Sequence, residues 1–102
     1  MNPTDNPLKA RSEALYESLS HLIDESDAKD VQLLTRLSHQ FAIAEQCQSK
    51  VEELGLIVED NKGNQKANPY INIAYNANGL VLRYAKMIGI KKDDLSLDLD
   101  LE

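Results

Sequence analysis

Apolar residues recur at helical spacing in three segments of the chain, which cover residues 8–24, 28–54 and 69–88. In each segment an apolar residue returns every three or four positions, so that the apolar side chains share one face of an α-helix. The second segment has the clearest face, made of Val31, Leu34, Leu37, Phe41, Ala44, Val51 and Leu54. The pattern predicts a mainly α fold of three helices, two of them long and amphipathic.

Residues that cap helices stand at the ends of these segments. Ser26 or Asp27 is placed to cap the second helix, because short polar side chains accept hydrogen bonds from free N–H groups of a first turn. Asn68-Pro69 opens the third helix, since proline needs no N–H group at the first helical position. Gly55 and Gly89 follow the second and third helices, where a left-handed residue is favoured.

A short β-hairpin is predicted between the second and third helices, within the stretch GLIVEDNKGNQKANP at residues 55–69. Residues 56–58 are apolar and read as a strand, residues 59–64 have turn composition, and residues 65–67 are placed to return antiparallel. A lone two-stranded hairpin is marginally stable in water. We therefore expect it to lie on the helices or to pair with a neighbouring copy.

Self-association is expected because long amphipathic helices in a chain of 102 residues leave a thin core. The apolar faces are then shared between copies. The residues expected at this interface are Leu34, Leu37, Phe41, Ile57, Val58 and Tyr75.

The two ends of the chain differ from the helical domain assigned to residues 8–92. Residues 1–7 are polar with two prolines and are predicted to be disordered. Residues 93–102 are predicted to form an acidic flexible tail, in which alternating leucines fit either a strand or a segment that becomes ordered on a partner. The tail residues expected to bind a partner are Leu95, Leu97, Asp98, Leu99 and Asp100.

Charge is distributed unevenly along the chain, whose formal net charge is −6. The last ten residues carry five acids, whereas residues 61–92 contain no Asp or Glu. Within that acid-free segment the residues predicted to contact DNA phosphates are Lys66, Arg83, Lys86, Lys91 and Lys92. The alternative is a solvated face whose cations offset the dipole of the third helix. Gly79, inside this helix, is expected to permit close approach to another helix.

Residues that support catalysis are sparse. His21 and His39 lie on different helices without metal-ligand spacing, and no nucleotide-binding or nucleophile motif is present. The sequence therefore predicts no enzyme activity, no metal and no cofactor. A single cysteine, Cys47, fits a reducing compartment, and the absence of a signal segment or a membrane-length apolar run predicts a cytoplasmic protein without a membrane partner.

An ordered set of short motifs resembles the small subunit of tailed-phage terminases over residues 12–92. The motifs are Gly55-Leu56-Ile57-Val58, Gly63, Lys66-Ala67-Asn68-Pro69 and Met87-Ile88-Gly89-Ile90. The resemblance implies a ring-like homo-oligomer that recognises viral double-stranded DNA in the host cytoplasm. It also implies that the chain passes this DNA to the terminase large subunit, which holds the ATPase and nuclease.

Two other functions fit the residues without this resemblance. One is a helical protein-interaction module that has no role with DNA. The other is a small helical DNA-binding regulator, which needs a compact helix-turn-helix. A second helix of residues 28–54 is long for a recognition helix, so this regulator fits less well than the packaging adaptor.

Overall fold

The computed structural model describes residues 6–95 and contains three helices and a two-stranded antiparallel sheet. The elements, in chain order, are α1 (Pro7–Leu19), a 3₁₀ turn (Ser20–Leu22), α2 (Ala28–Leu54), β1 (Ile57–Glu59), β2 (Gln65–Ala67), α3 (Pro69–Ile88) and a second 3₁₀ turn (Lys92–Leu95). The mainly α fold is confirmed, as is the hairpin between the second and third helices.

Helix α2 begins and ends at the predicted residues because its caps are local. The carboxylate of Asp27 accepts hydrogen bonds from the backbone N–H groups of Lys29 and Asp30, at 2.9 and 3.4 Å. Gly55 follows the helix with φ 83° and ψ −177°. This positive φ suits glycine, but the extended ψ differs from the left-handed cap that was predicted and leads the chain directly into β1.

Helix α1 is shorter than the predicted span of residues 8–24. The side chain of Asn6 caps its start, and the regular helix ends at Leu19. The hydroxyls of Ser18 and Ser20 donate to the carbonyls of Ala14 and Glu17, both at 3.0 Å. Serine side chains that bond nearby carbonyls weaken a helix, and here the last turn tightens into 3₁₀ geometry.

The hairpin is antiparallel, with Ile57 opposite Ala67 and Val58 opposite Lys66. Strand β1 begins one residue later than predicted. The ladder nevertheless continues past the strands, because the carbonyl of Leu56 accepts the N–H of Asn68 at 2.8 Å.

Helix α2 is the central element, and α1 and α3 both pack against it. A two-pronged ion pair joins α1 to α2, from Arg11 to Glu45 at 2.7 and 2.9 Å. The main hydrophobic core lies where the three helices meet. Its buried members are Leu15, Leu19, Leu34, Leu37, Phe41, Ala42, Val81, Ala85, Ile90 and Leu95.

The opposite end of the molecule, which carries the hairpin, has a much thinner core. Helices α2 and α3 contribute the small buried side chains of Ala44, Cys47, Ala74 and Ala77 towards this end. At this hairpin end Leu54, Leu56 and Ile57 are 48, 67 and 56% exposed. Large apolar side chains are therefore left on the surface where the core is thinnest.

Two groups of residues with predicted partner roles lie in the core of one chain. Leu34, Leu37 and Phe41 are 0% exposed inside the core of one chain, so in this structure they offer no surface to a second copy. Helices α1 and α3 cover their face of α2 within one chain, and their predicted role at an interface between copies stays a prediction. Leu95, assigned to the flexible tail, is 1% exposed and belongs to the same core.

Candidate nucleic-acid interface

The structure separates the predicted DNA-contacting residues into two places. Arg83 and Lys86 are exposed on the last two turns of α3, and Lys91 is exposed just beyond that helix. Lys92 begins the 3₁₀ turn that follows. Lys66 lies on β2 at the hairpin end, separated from Arg83 by roughly 21 Å of helix rise. The sequence prediction therefore grouped residues that do not form one cluster.

Helix α3 has two opposite faces, one buried and one polar. At about 100° per residue, its buried side chains Ala74, Ala77, Val81 and Ala85 centre on one side of the helix. The outer face of α3, directly opposite, consists of Asn72, Asn76, Gly79, Arg83 and Lys86. All five are exposed, and none is acidic. The face thus presents two cations and two amides to solvent.

Three residues of the outer face of α3, namely Asn72, Asn76 and Gly79, disfavour a helix. Relative to alanine, asparagine costs about 0.5 kcal/mol and glycine about 1 kcal/mol at an interior helix position. A Cβ atom added at Gly79 would meet nothing within 4 Å, so Gly79 does not approach another helix of the same chain, and its predicted approach to a helix outside the chain stays a prediction. Packing within the protomer does not explain why these residues stand on this face, whereas a contact outside the chain would explain them.

The hairpin turn is held in one shape by Asp60. Its Oδ1 atom accepts the backbone N–H groups of Lys62 at 2.8 Å and Asn64 at 2.9 Å. These bonds, led by the one from Asn64, hold the pKa of Asp60 below its ordinary value because they favour the charged carboxylate. Gly63 has φ 82° in the same turn. The turn therefore holds the backbone of Lys62 in place, and Lys66 follows on β2.

Asn68 fixes the hairpin to the start of α3 and does more than the predicted cap. Its Oδ1 accepts the N–H of Tyr70 at 3.0 Å, and its Nδ2 donates to the carbonyl of Gly55 at 2.8 Å. The side chain is 1% exposed. The bond to Gly55 was not predicted from the sequence, although the residue type permits it. Asparagine offers a donor as well as an acceptor, whereas aspartate offers only an acceptor.

A cleft lies between α1 and α2. This cleft of about 470 Å³ is lined by residues that include Ser12, Tyr16, Ser38 and His39. The hydroxyl of Ser12 lies 3.5 Å from Nδ1 of His39, which is longer than a nucleophile–base hydrogen bond of about 2.6–3.2 Å. The arrangement does not have the geometry of an activated serine.

Cys47 is the free cysteine of the described residues and lies buried. Burial raises the pKa of the Cys47 thiol, which keeps it protonated and unreactive. Across the described part of the chain, no three His, Cys, Asp or Glu residues gather in a way that would hold a metal ion. In the same residues, no helix has both the length and the apolar character needed to span a bilayer.

Comparison with known proteins yields one family. The model of the family described as phage terminase, small subunit, matches residues 13–93. The match includes the second half of α1 and all of α2, the hairpin and α3. No curated protein and no solved structure matches the chain. The resemblance carried by the short motifs is thereby confirmed.

Proposed function

The chain belongs to the phage terminase small subunit family, and from this membership we propose that it is a DNA-packaging adaptor. In this role it forms an oligomer, recognises viral double-stranded DNA and regulates the terminase large subunit. The observation that carries the proposal is the family match over residues 13–93, which covers nearly all of the described fold. The adaptor works in the host cytoplasm and leaves ATP hydrolysis and DNA cleavage to its partner.

The charge layout supports the DNA-binding part of the proposal. Residues 61–92 contain no acid, and the exposed cations Arg83, Lys86 and Lys91 lie in this stretch, where they can attract a DNA backbone. One copy supplies few contacts. An oligomer repeats them at fixed spacing, and linked weak contacts raise the overall affinity strongly.

The hairpin end supports the oligomeric part of the proposal. Leu56 and Ile57 are exposed there, and a two-stranded sheet has free N–H and C=O groups along both edges. A neighbouring copy can cover these side chains and pair with an edge. Of the residues first predicted at the interface, Ile57 and Tyr75 are exposed and Val58 is half-buried, so these three stay in the proposed contact.

The acidic tail is the proposed docking segment for the large subunit. Four of its predicted partner-binding residues, Leu97–Asp100, lie outside the described residues. Leu95 is excluded from this role because it is buried in the core. The segment after Leu95 is therefore the part of the tail that is assigned to the partner.

The proposal is tested by light scattering combined with mobility-shift assays on phage DNA at 50 and 200 mM salt. We expect an oligomer of ring size whose DNA affinity falls steeply with salt, because each phosphate contact releases a bound counterion. Co-purification with the large subunit tests the second partner. A monomer or dimer that binds no DNA at either salt concentration would instead identify a protein-interaction module.

A further inference from the structure

We propose that the outer face of α3 reads base sequence in the major groove of double-stranded DNA. Asn72, Asn76 and Arg83 are the base-contacting residues, and Gly79 is the point of closest approach. The inference rests on the proposed function and deepens it, because it assigns recognition of viral DNA to one helix face and to named side chains.

The dimensions of α3 suit the major groove. The helix packs against α2 along one side, and its opposite side is exposed over its whole length. A helix of about 10–12 Å diameter fits a groove about 12 Å wide. From Asn72 to Arg83 the helix rises about 16 Å, which matches about five base pairs at 3.4 Å each.

The side chains on this face have the hydrogen-bonding groups that distinguish bases. An asparagine amide bonds N6 and N7 of adenine with two bonds, and an arginine guanidinium bonds O6 and N7 of guanine in the same way. Asn72 and Asn76 are one helical turn apart, and Arg83 lies two turns beyond Asn76. Lys86 lies at the edge of the same face, where it is placed to contact phosphate.

Gly79 removes the side chain from the middle of this face. Its Cβ position is open, and it lies between Asn76 and Arg83. A bare backbone at this point lets the helix axis approach the bases more closely than any side chain would permit. The two asparagines and the arginine then reach the base edges from either side of the closest point.

The same residues favour DNA over an acidic protein as the occupant. A surface that only attracts negative charge needs lysines and arginines, and asparagine amides add no charge to it. Exposed amides at i and i+4, together with a glycine and an arginine, instead fit a partner that offers patterned donors and acceptors at short range. The base edges of the major groove provide such a pattern.

The test uses the full chain and a pool of duplexes with a random 20-base-pair centre. The wild type is expected to select sites in which adenine and guanine occur within about five base pairs. The double variant Asn72→Ala/Asn76→Ala and the single variant Gly79→Gln are then measured on the selected site and on an unselected duplex. We expect both variants to bind the selected site at least tenfold more weakly and the unselected duplex almost unchanged.

Unfolding cannot account for such losses, because each change places a better helix former at an exposed position. Thermal melts are therefore expected to show unchanged or higher Tm for both variants.

Arg83→Ala is expected to remove the selection for guanine. Lys86→Ala is expected to weaken binding to both duplexes and to lower the salt slope by about 1. Asn61→Ala in the hairpin turn and Lys9→Ala on α1 are the matched controls and should leave the selection unchanged.

The outcomes separate this inference from the function on which it depends. A wild-type chain that shifts no duplex removes the DNA-binding part of the proposed function and the inference with it. A wild type that selects a site, together with α3 variants that select the same site at the same affinity, overturns only the inference. Loss of large-subunit binding in the α3 variants, with DNA binding intact, overturns it as well and assigns the face to the protein partner.

Discussion

Asn68 shows how much one buried polar residue contributes at the junction of two elements. Its amide satisfies the carbonyl of Gly55 and the N–H of Tyr70, and neither group has a partner inside a helix. Because the side chain is 1% exposed, water cannot replace these bonds without opening the structure. The position of the hairpin relative to α3 therefore depends on this residue.

We expect Asn68→Ala to lower the free energy of unfolding by about 2 kcal/mol. Loss of the cap accounts for about 1 kcal/mol, and the unpaired carbonyl of Gly55 accounts for at least as much. Urea denaturation followed by circular dichroism measures the change. Asn72→Ala, at an exposed position of the same helix, is the matched control and should not destabilise the protein. Equal stability of the two variants would contradict the role given to Asn68.

Capping residues could be predicted from the sequence, but the burial of single side chains could not. Asp27 and Asn68 are recognised as caps because a cap depends on its neighbours in the chain. Leu95 belongs to an alternating acidic stretch, and local pattern alone gives it no core role. Its burial depends on α1, α2 and α3 meeting around it, which is a property of the tertiary fold.

The predicted bounds of each helix depend on two signals, which are the apolar periodicity and the capping residues at the helix ends. For α2 and α3 the apolar period and the caps agree, and both helices span the predicted residues 28–54 and 69–88. For α1 the apolar period continues to Ile23, but the serine hydroxyls near its end favour an earlier stop. The apolar periodicity therefore predicts the buried face of α1 correctly but places its C-terminal end too late.

Gly79 inside α3 and Gly89 just after it are expected to respond oppositely to substitution by alanine. Gly79→Ala should raise the free energy of unfolding by about 1 kcal/mol, because alanine is a better helix former and the site is open. Gly89→Ala should lower it by about 1 kcal/mol, because φ at this position is 96° and alanine is strained there. Parallel urea titrations measure both changes. A loss of stability in Gly79→Ala would show that the site is not open in solution.

At the scale of the whole molecule, the three-helix end and the hairpin end bury different kinds of side chain. The three-helix end buries leucines and Phe41 within one chain, whereas the hairpin end buries mainly alanines and leaves Leu54, Leu56 and Ile57 exposed. An apolar stripe in the sequence shows that its residues pack against another surface. It does not show whether that surface belongs to the same chain or to a second copy. For this reason the stripe alone does not show that Leu34, Leu37 and Phe41 pack inside one chain.

The interface at the hairpin end is tested with the double variant Leu56→Glu/Ile57→Glu. Both side chains are exposed in one chain, so the fold should persist, while association should weaken at least tenfold because burial of the charges opposes contact. Sedimentation velocity measures the mass, and circular dichroism checks the fold. Met87→Glu is the matched control, since Met87 is 55% exposed near the other end of α3. An unchanged mass in the double variant would place the contact elsewhere.

The burial of Leu95 has a consequence for the chain as it is being synthesised. Leu15 and Leu19, which emerge early from the ribosome, share a core with a residue that emerges about eighty positions later. Contacts so distant along the chain form late, after the nearer pairing of α2 with α3. A nascent chain that stops short of Leu95 thus has an incomplete core, and α1 is left partly uncovered until translation has passed this position.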